Sequence, residues 1–419
     1  MRPPSRSVAR AELTSPGPQW YDAPMKYYCL LSIGSTIVSA AVTSLAASSG
    51  PVFYGDAPDD HHPWAIHDRN RPQPKIVTPG TFSSQEQAGK PPADATILFD
   101  GTDLSNWLNG KDAPAEWLIK DGSMEAKPGA GDIHTKAKFG DLQLHVEWAA
   151  PTEVKGESQG RGNSGIFLPG GLEIQVLDCY NNQTYPDGTA GGYYGVNPPL
   201  VNPLRPPGEY QVVDIVFRRP VYQSGKAVDA GYVTVFINGV LVQDHTPLEG
   251  PGGHMGRSRP GPFPERDSLR LQDHGNPVRF RNIWSRELPP RAVEGGTDGY
   301  LTTEATTAKR REIAAEVRAD AAKLQNPDQP LPELLRLMES LIYEKDAAAL
   351  QKVEQMAAQY VASLKALPAD QMAGKKGEAR NLRDVFNYLA RWKAIPADFA
   401  PKAALEQLFK EQNWDKPNR

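Results

Sequence analysis

The sequence predicts a mainly β protein: a β-sandwich over residues 94–290, followed by a C-terminal α-helical bundle over residues 300–419. Three observations carry this. Apolar residues alternate with period two between 95 and 288, and turn dipeptides recur there about every ten residues. Beyond residue 300 or so the apolar period changes to about 3.6. A chain of 419 residues also exceeds what one hydrophobic core usually serves, so two folded units are expected.

Residues 1–24 read as an upstream extension. From Met25 a single charge, Lys26, precedes an apolar stretch through Leu30, Leu31 and Ile33, which ends on the small residues Leu45-Ala46-Ala47. That is the build of a secretory signal peptide, so residues 1–47 are expected to be lost on export to a periplasmic or extracellular space. Ser, Thr and Gly dilute the stretch and no positively charged stop follows it, which leaves no membrane span in the mature chain. Cys29 departs with the leader. Cys179 is then the one remaining thiol, expected as a small buried residue at a strand end rather than a reactive one.

Residues 48–93 carry Pro51, Pro58, Pro63, Pro72, Pro74, Pro79, Pro91 and Pro92, which makes them an extended arm rather than a domain. His61, His62 and His67 lie on it with no helix or hairpin to fix a metal-ligand geometry, so they are expected to be solvated or packed locally.

The sandwich follows. Leu142-Gln143-Leu144-His145-Val146-Glu147-Trp148, Leu172-Glu173-Ile174-Gln175-Val176 and Tyr232-Val233-Thr234-Val235-Phe236-Ile237 alternate as strands with one buried face. Asn238-Gly239 between two apolar runs signals a type I′ hairpin. Alternation sets Glu173 and Gln175 opposite Ile174 and Val176, and Arg270 and Gln272 opposite Leu269 and Leu271, with His274 just beyond that strand. A formal net charge of −4 offers no field for a polyanion, so no nucleic-acid partner is expected.

Several blocks occur in order: Phe99-Asp100-Gly101, Gly162-Asn163-Ser164-Gly165-Ile166, Glu173-Ile174-Gln175-Val176-Leu177-Asp178, Tyr194-Gly195, Ile237-Asn238-Gly239 and Leu271-Gln272-Asp273-His274-Gly275 with Val278-Arg279-Phe280-Arg281-Asn282-Ile283. In these the chain resembles the 3-keto-disaccharide hydrolase family, over residues 94–290. The resemblance implies a concanavalin-A-like jelly-roll sandwich. It also implies hydrolysis or β-elimination of glycosides whose sugar is oxidised to a ketone at C3. The ketone acidifies the C2 proton, so the reaction needs a base, a stabiliser for the enolate and an acid for the leaving group.

Glu173 and His274 are the candidates for proton transfer, with the base unassigned between them. Gln175 and Gln272 would bind sugar hydroxyls. Arg161 and Asn163 lie in a glycine-rich loop that can approach a ligand, Arg161 as an enolate stabiliser. Asp178 would pair with His274 or hold a divalent cation, Tyr194 would stack on a sugar ring, and Arg281 would point toward the substrate face. The residues name no definite cofactor, and a divalent cation on the keto oxygen would suit an enolate. A non-catalytic lectin-like module is the alternative. A conventional endoglucanase is disfavoured, because the same-face run Glu173, Gln175, Leu177 lacks the second carboxylate.

In the C-terminal region Leu334, Leu337, Met338, Leu341 and Ile342 form one stripe, and Leu350, Val353, Met356, Ala357, Tyr360, Val361 and Leu364 another. Leu382, Val385, Phe386 and Leu389 make a third, and Leu405, Leu408 and Phe409 close the series. Four or five amphipathic helices are expected, without a catalytic constellation, as packing or as a docking face for a partner protein.

Overall fold

The computed structural model describes residues 55–289, 291 and 299–415. The expected signal segment, with Cys29, lies outside the described residues.

Two antiparallel sheets and a lone hairpin hold the fifteen strands among the described residues. The eight-stranded sheet runs β13 (Val240–Pro247), β12 (Tyr232–Ile237), β9 (Gln211–Arg218), β6 (Leu142–Ala149), β15 (Arg279–Glu287), β4 (Ser123–Glu125) and β3 (Leu118–Lys120), with β1 (Thr96–Phe99) also paired to β15. The five-stranded sheet runs β2 (Trp107–Asn109), β5 (Ile133–Phe139), β14 (Asp267–Leu271), β7 (Ser164–Leu168) and β8 (Leu172–Val176). A separate pair, β10 (Val221–Gln223) and β11 (Lys226–Asp229), stands apart from both.

The inward alternate residues of the two sheets meet in a single apolar core, which makes the domain the β-sandwich expected. Leu144, Val146 and Trp148 of β6 and Val213, Ile215 and Phe217 of β9 face Ile166 and Leu168 of β7 and Leu172, Ile174 and Val176 of β8. Each such side chain contributes about 1.5–3 kcal/mol on burial, and among the described residues no disulfide supplements them: Cys179 is free and buried. Burial pushes its thiol up to about 11, and its sulfur accepts a hydrogen bond from the Ala190 N–H, so it is inert. At the β12–β13 hairpin Asn238 and Gly239 take φ of 53° and 78°, the double left-handed geometry of a type I′ turn.

The helical bundle comprises α1 (Thr303–Lys323), α2 (Leu331–Ser340), α3 (Ala347–Lys365), the single turn α4 (Ala369–Met372), α5 (Lys376–Arg391) and α6 (Ala400–Glu411). The four stripes of the sequence correspond to α2, α3, α5 and α6. The extra long helix, α1, buries Ile313, Ala314, Val317 and Ala321, an alanine-based face too weak to register as a stripe. Asp346 caps α3 by accepting from the Ala349 N–H at 2.7 Å, and Pro332 and Pro401 open α2 and α6 where no N–H is needed.

The arm joins the two halves through side chains rather than strands. Trp64 and Ala65 sit in the helical core. Arg69 and Asn70 bond the buried carboxylate of Glu339, and the Tyr343 hydroxyl donates to Asp68 at 2.7 Å. His61 stacks on Tyr300 with ring centroids 4.9 Å apart, and His62 pairs with Asp59 at 2.8 Å, the local packing expected of these histidines.

Further along, Ser83 donates to Glu147, Gln85 bonds both backbone groups of Tyr210, and Arg286 grips Asp94 through two 2.8 Å bonds. This second stretch covers the outer face of the eight-stranded sheet. There His145 lies between Asp214 (2.7 Å) and Glu147 (3.3 Å), and Arg281 donates to Glu147 at 2.8 Å.

Candidate active site

Strand register builds a row of side chains across the outer face of the five-stranded sheet. Leu108 pairs with His134, His134 with Arg270, Arg270 with Phe167 and Phe167 with Glu173. Beyond β8 the chain returns at Tyr193, which bridges Ile174 with both side chains in the core. Tyr194 therefore stands opposite Glu173 on the outer face, its N–H donating to the Glu173 carbonyl at 3.0 Å. Neighbouring strands lie about 4.8 Å apart, so each step of the row is one sugar-ring width or less.

A second row runs two residues along: Asp132, Gln272, Gly165, Gln175 and Gly192. It is fixed by hydrogen bonds from Gln272 N to Gly165 O at 3.1 Å and from Gln175 N to Gly192 O at 3.0 Å. Gly165, between the two amides, carries no side chain to fill the floor there. The Glu173 carboxyl leans into that space: a β-carbon on Gly165 would stand 2.3 Å from Glu173 Oε1 and 2.9 Å from the Phe167 ring.

Glu173 is only 8% exposed. Desolvation pushes its carboxyl up to about 7; the Arg270 charge pulls it down and the Asp132 charge pushes it further up. Arg270 is held elsewhere. Its guanidinium bonds Asp132 and lies 3.6 Å over the Phe167 ring, so it tempers the carboxylate without pairing with it. Turned with its nitrogen toward Glu173, the Gln175 amide donates to Oε1 at 3.3 Å and to Ser164 O at 3.1 Å. Gln272 Oε1 is buried without a partner among the described residues, an acceptor in want of a donor such as a hydroxyl.

Four of the residues singled out in the sequence thus share one face: Glu173, Gln175, Gln272 and Tyr194. Asn163 stands behind them. Its Nδ2 donates to Gln159 O at 2.7 Å, and Gln159 Oε1 in turn lies 2.9 Å from the Gln175 amide, so Asn163 positions rather than touches.

The others lie apart. His274 is exposed on the loop beyond β14, with no side-chain hydrogen bond among the described residues, so it pairs with neither Glu173 nor Asp178. Asp178 instead binds Arg161 at 2.7 Å, and Arg161 also donates to Tyr180 O. This buried ion pair ties down the guanidinium meant for an enolate. Arg281 is on the wrong sheet. It is 5% exposed beneath the arm, donates to Glu147, Ser84 O and Gln85 O, and lies 3.6 Å over Tyr210.

Sequence reasoning missed His134, Asp132, Tyr185 and His254. His134 sits between core-facing Ile133 and Thr135 and lies 3.2 Å from Asp112. Tyr185 Oη is 2.8 Å from Tyr194 Oη, which is 3.3 Å from His254 Nδ1. Among the described residues no three His, Cys, Asp or Glu side chains gather as a metal site. No helix there is long and apolar enough to cross a membrane.

Residues 94–286 match the family model described as a 3-keto-alpha-glucoside-1,2-lyase-like domain. A solved structure from Parabacteroides distasonis ATCC 8503, provisionally assigned as a glycosyl hydrolase, is 45% identical. The match covers 52% of this chain and 93% of that one, with a TM-score of 0.48. A second structure from the same organism, with the same provisional assignment, is 21% identical over 47% of this chain and 94% of that one, with a TM-score of 0.34. No curated protein matches the chain.

Proposed function

From the premise that the central domain, residues 94–286, belongs to the 3-keto-alpha-glucoside-1,2-lyase-like family, we propose that the protein cleaves 3-keto-glycosides by β-elimination with Glu173 as the base. The observation that carries this reading is the Glu173 carboxyl, free of an ion-pair partner among the described residues and desolvated until it titrates near 7. A base poised near the working pH combines a useful ionised fraction with real proton affinity. Removing the proton at C2 needs one such group.

An ordinary glycosidase needs two carboxyls about 5–9.5 Å apart across the bond. The other acid of these rows, Asp132, stands three strands from Glu173 and is held by Arg270. That pairing speaks against the two-carboxylate mechanism.

The ketone oxygen becomes an enolate as the proton leaves. The partnerless Gln272 oxygen is suited to accept from a sugar hydroxyl while this happens, and the Gln175 amide, spent on Glu173 and Ser164 O, holds the base in place. Arg270, two strands away, supplies positive potential to the developing charge without competing for the proton. The product of elimination is an unsaturated keto sugar plus the free alcohol, and addition of water would complete a net hydrolysis.

Glu173→Gln tests the assignment. Binding of a 3-keto-disaccharide should persist while turnover falls by about 10²–10⁴-fold. Equal turnover in both proteins would remove Glu173 as the base, and binding without turnover in either would mark a lectin-like module.

A further inference from the structure

The row of outer-face residues ends on a chain of hydroxyls that removal of the C2 proton leaves unused. Tyr194 lies directly opposite Glu173 across the last pair of chains, with β-carbons about 5 Å apart at such a position. Its hydroxyl is 2.8 Å from that of Tyr185 and 3.3 Å from Nδ1 of His254, an exposed residue. Tyr185 is held in place in turn, its ring packed against Gly188, whose carbonyl accepts from Gln159 at 2.9 Å. The chain therefore runs from beside the base to solvent.

Elimination breaks bonds on adjacent carbons, C2–H and C1–O. A sugar ring seated over Gly165 and Gln175 with C2 at Glu173 sets the C1 oxygen toward the neighbouring strand, where Tyr194 stands. Resting on the keto-elimination reading above, we propose that Tyr194 is the proton donor to the departing alkoxide and that Tyr185 and His254 return its proton.

In the step, Glu173 takes the C2 proton and the C2–H electron pair moves through the enolate to form the C1–C2 double bond. The C1–O pair leaves with the alcohol oxygen, which takes the Tyr194 hydroxyl proton. The Tyr194 phenolate is reprotonated along the hydroxyl chain from His254 and solvent, and Glu173 releases its proton to solvent. No oxidant, reductant or further reactant is consumed. The same face thereby distinguishes leaving groups, because a sugar alkoxide needs that proton and a nitrophenolate does not.

The test compares wild type and Tyr194→Phe, as the full chain, on a 3-keto-disaccharide and on p-nitrophenyl 3-keto-glucoside. The variant should lose about 10²-fold or more of kcat on the disaccharide and stay within about threefold on the nitrophenyl substrate. Equal losses on both, or none on either, overturn the proposal. His254→Ala, at an exposed position, serves should the phenylalanine variant not fold. It should slow the disaccharide alone and recover with added imidazole, and a loss that imidazole does not relieve counts against the relay. Wild type inactive on both keto substrates would sink the keto-elimination reading itself, and this inference with it. Wild type active alongside an indifferent Tyr194→Phe sinks only the inference.

Discussion

Replacing Glu173 by glutamine should make the protein more stable and less active, and the gain in stability should depend on pH. The carboxyl titrates near 7 when folded against about 4.5 otherwise, because folding strips water from it. Between those values the folded state holds more protons than the unfolded one, so stability falls as pH rises through the window and the full cost stands above pH 7. At about 1.4 kcal/mol per pH unit the buried charge costs on the order of 3 kcal/mol at pH 8 and under about 1 kcal/mol at pH 5.

Glu173→Gln keeps the shape, supplies the Gln175 amide with an alternative partner and abolishes the titration. The stability difference between variant and wild type should therefore widen by about 2–3 kcal/mol from pH 5 to pH 8. At about 2–4 °C per kcal/mol for a domain of this size, that is a ceiling of roughly 10 °C in Tm. Differential scanning calorimetry at the two pH values, alongside turnover of a 3-keto-disaccharide, reads both effects. A Tm difference independent of pH would refute the reasoning, since it would mean that Glu173 is not desolvated and is no better a base than any surface carboxylate.

Gly165→Ala should push the Glu173 carboxyl aside, given 2.3 Å from the new carbon to Oε1, lowering kcat by about tenfold or more while costing about 1–3 kcal/mol in urea titration. His274→Ala should leave kcat within about twofold in a steady-state assay, because the side chain is exposed beyond the sheet. Glu147→Ala strands buried Arg281 and should destabilise the sandwich by about 3–5 kcal/mol by denaturant melt, without first changing the pH profile of turnover.

In the same cluster, burial opposes the His145 charge, but bonds to Asp214 and Glu147 override it and raise the imidazole to about 9. Burial likewise opposes the Glu147 charge, and its bonds to His145, Ser83, Asn282 and Arg281 lower it to about 2. The histidine's contribution is present below its ordinary 6.5 and lost as pH rises through 9; the glutamate's is present above 4.5 and lost as pH falls through 2. This cluster should therefore add no slope to the Tm of Glu173→Gln between about pH 5 and 6.5, with its losses on either side.

The period-two alternation in 172–176 and 269–272 was enough to place Glu173, Gln175 and Gln272 opposite the core, because the core demands one face of each strand. It could not say which sheet a strand joins. Arg281 alternates as correctly as Glu173 does, yet β15 lies in the eight-stranded sheet and the arm buries its outer face. The row itself is non-local, assembled from residues 108, 134, 167, 173, 194 and 270 by pairings that no local window contains.

Tyr194 owes its face to the isolated bridge between Ile174 and Tyr193, in a segment that reads as loop. His134 was hidden for a different reason. Ile133–Phe139 carries His134, Lys136 and Lys138 on its outer positions and threonine on an inner one, so its alternation is too polar to stand out. In the bundle, leucine and phenylalanine stripes were legible, and the alanine face of α1 was not.

The most direct test offers the purified protein 3-keto-trehalose and trehalose side by side and follows free sugar. Elimination at the desolvated Glu173 carboxyl requires the ketone, so glucose should appear from the keto sugar and none from trehalose. Release from both alike, or from trehalose alone, would contradict the account and return the site to ordinary glycoside hydrolysis.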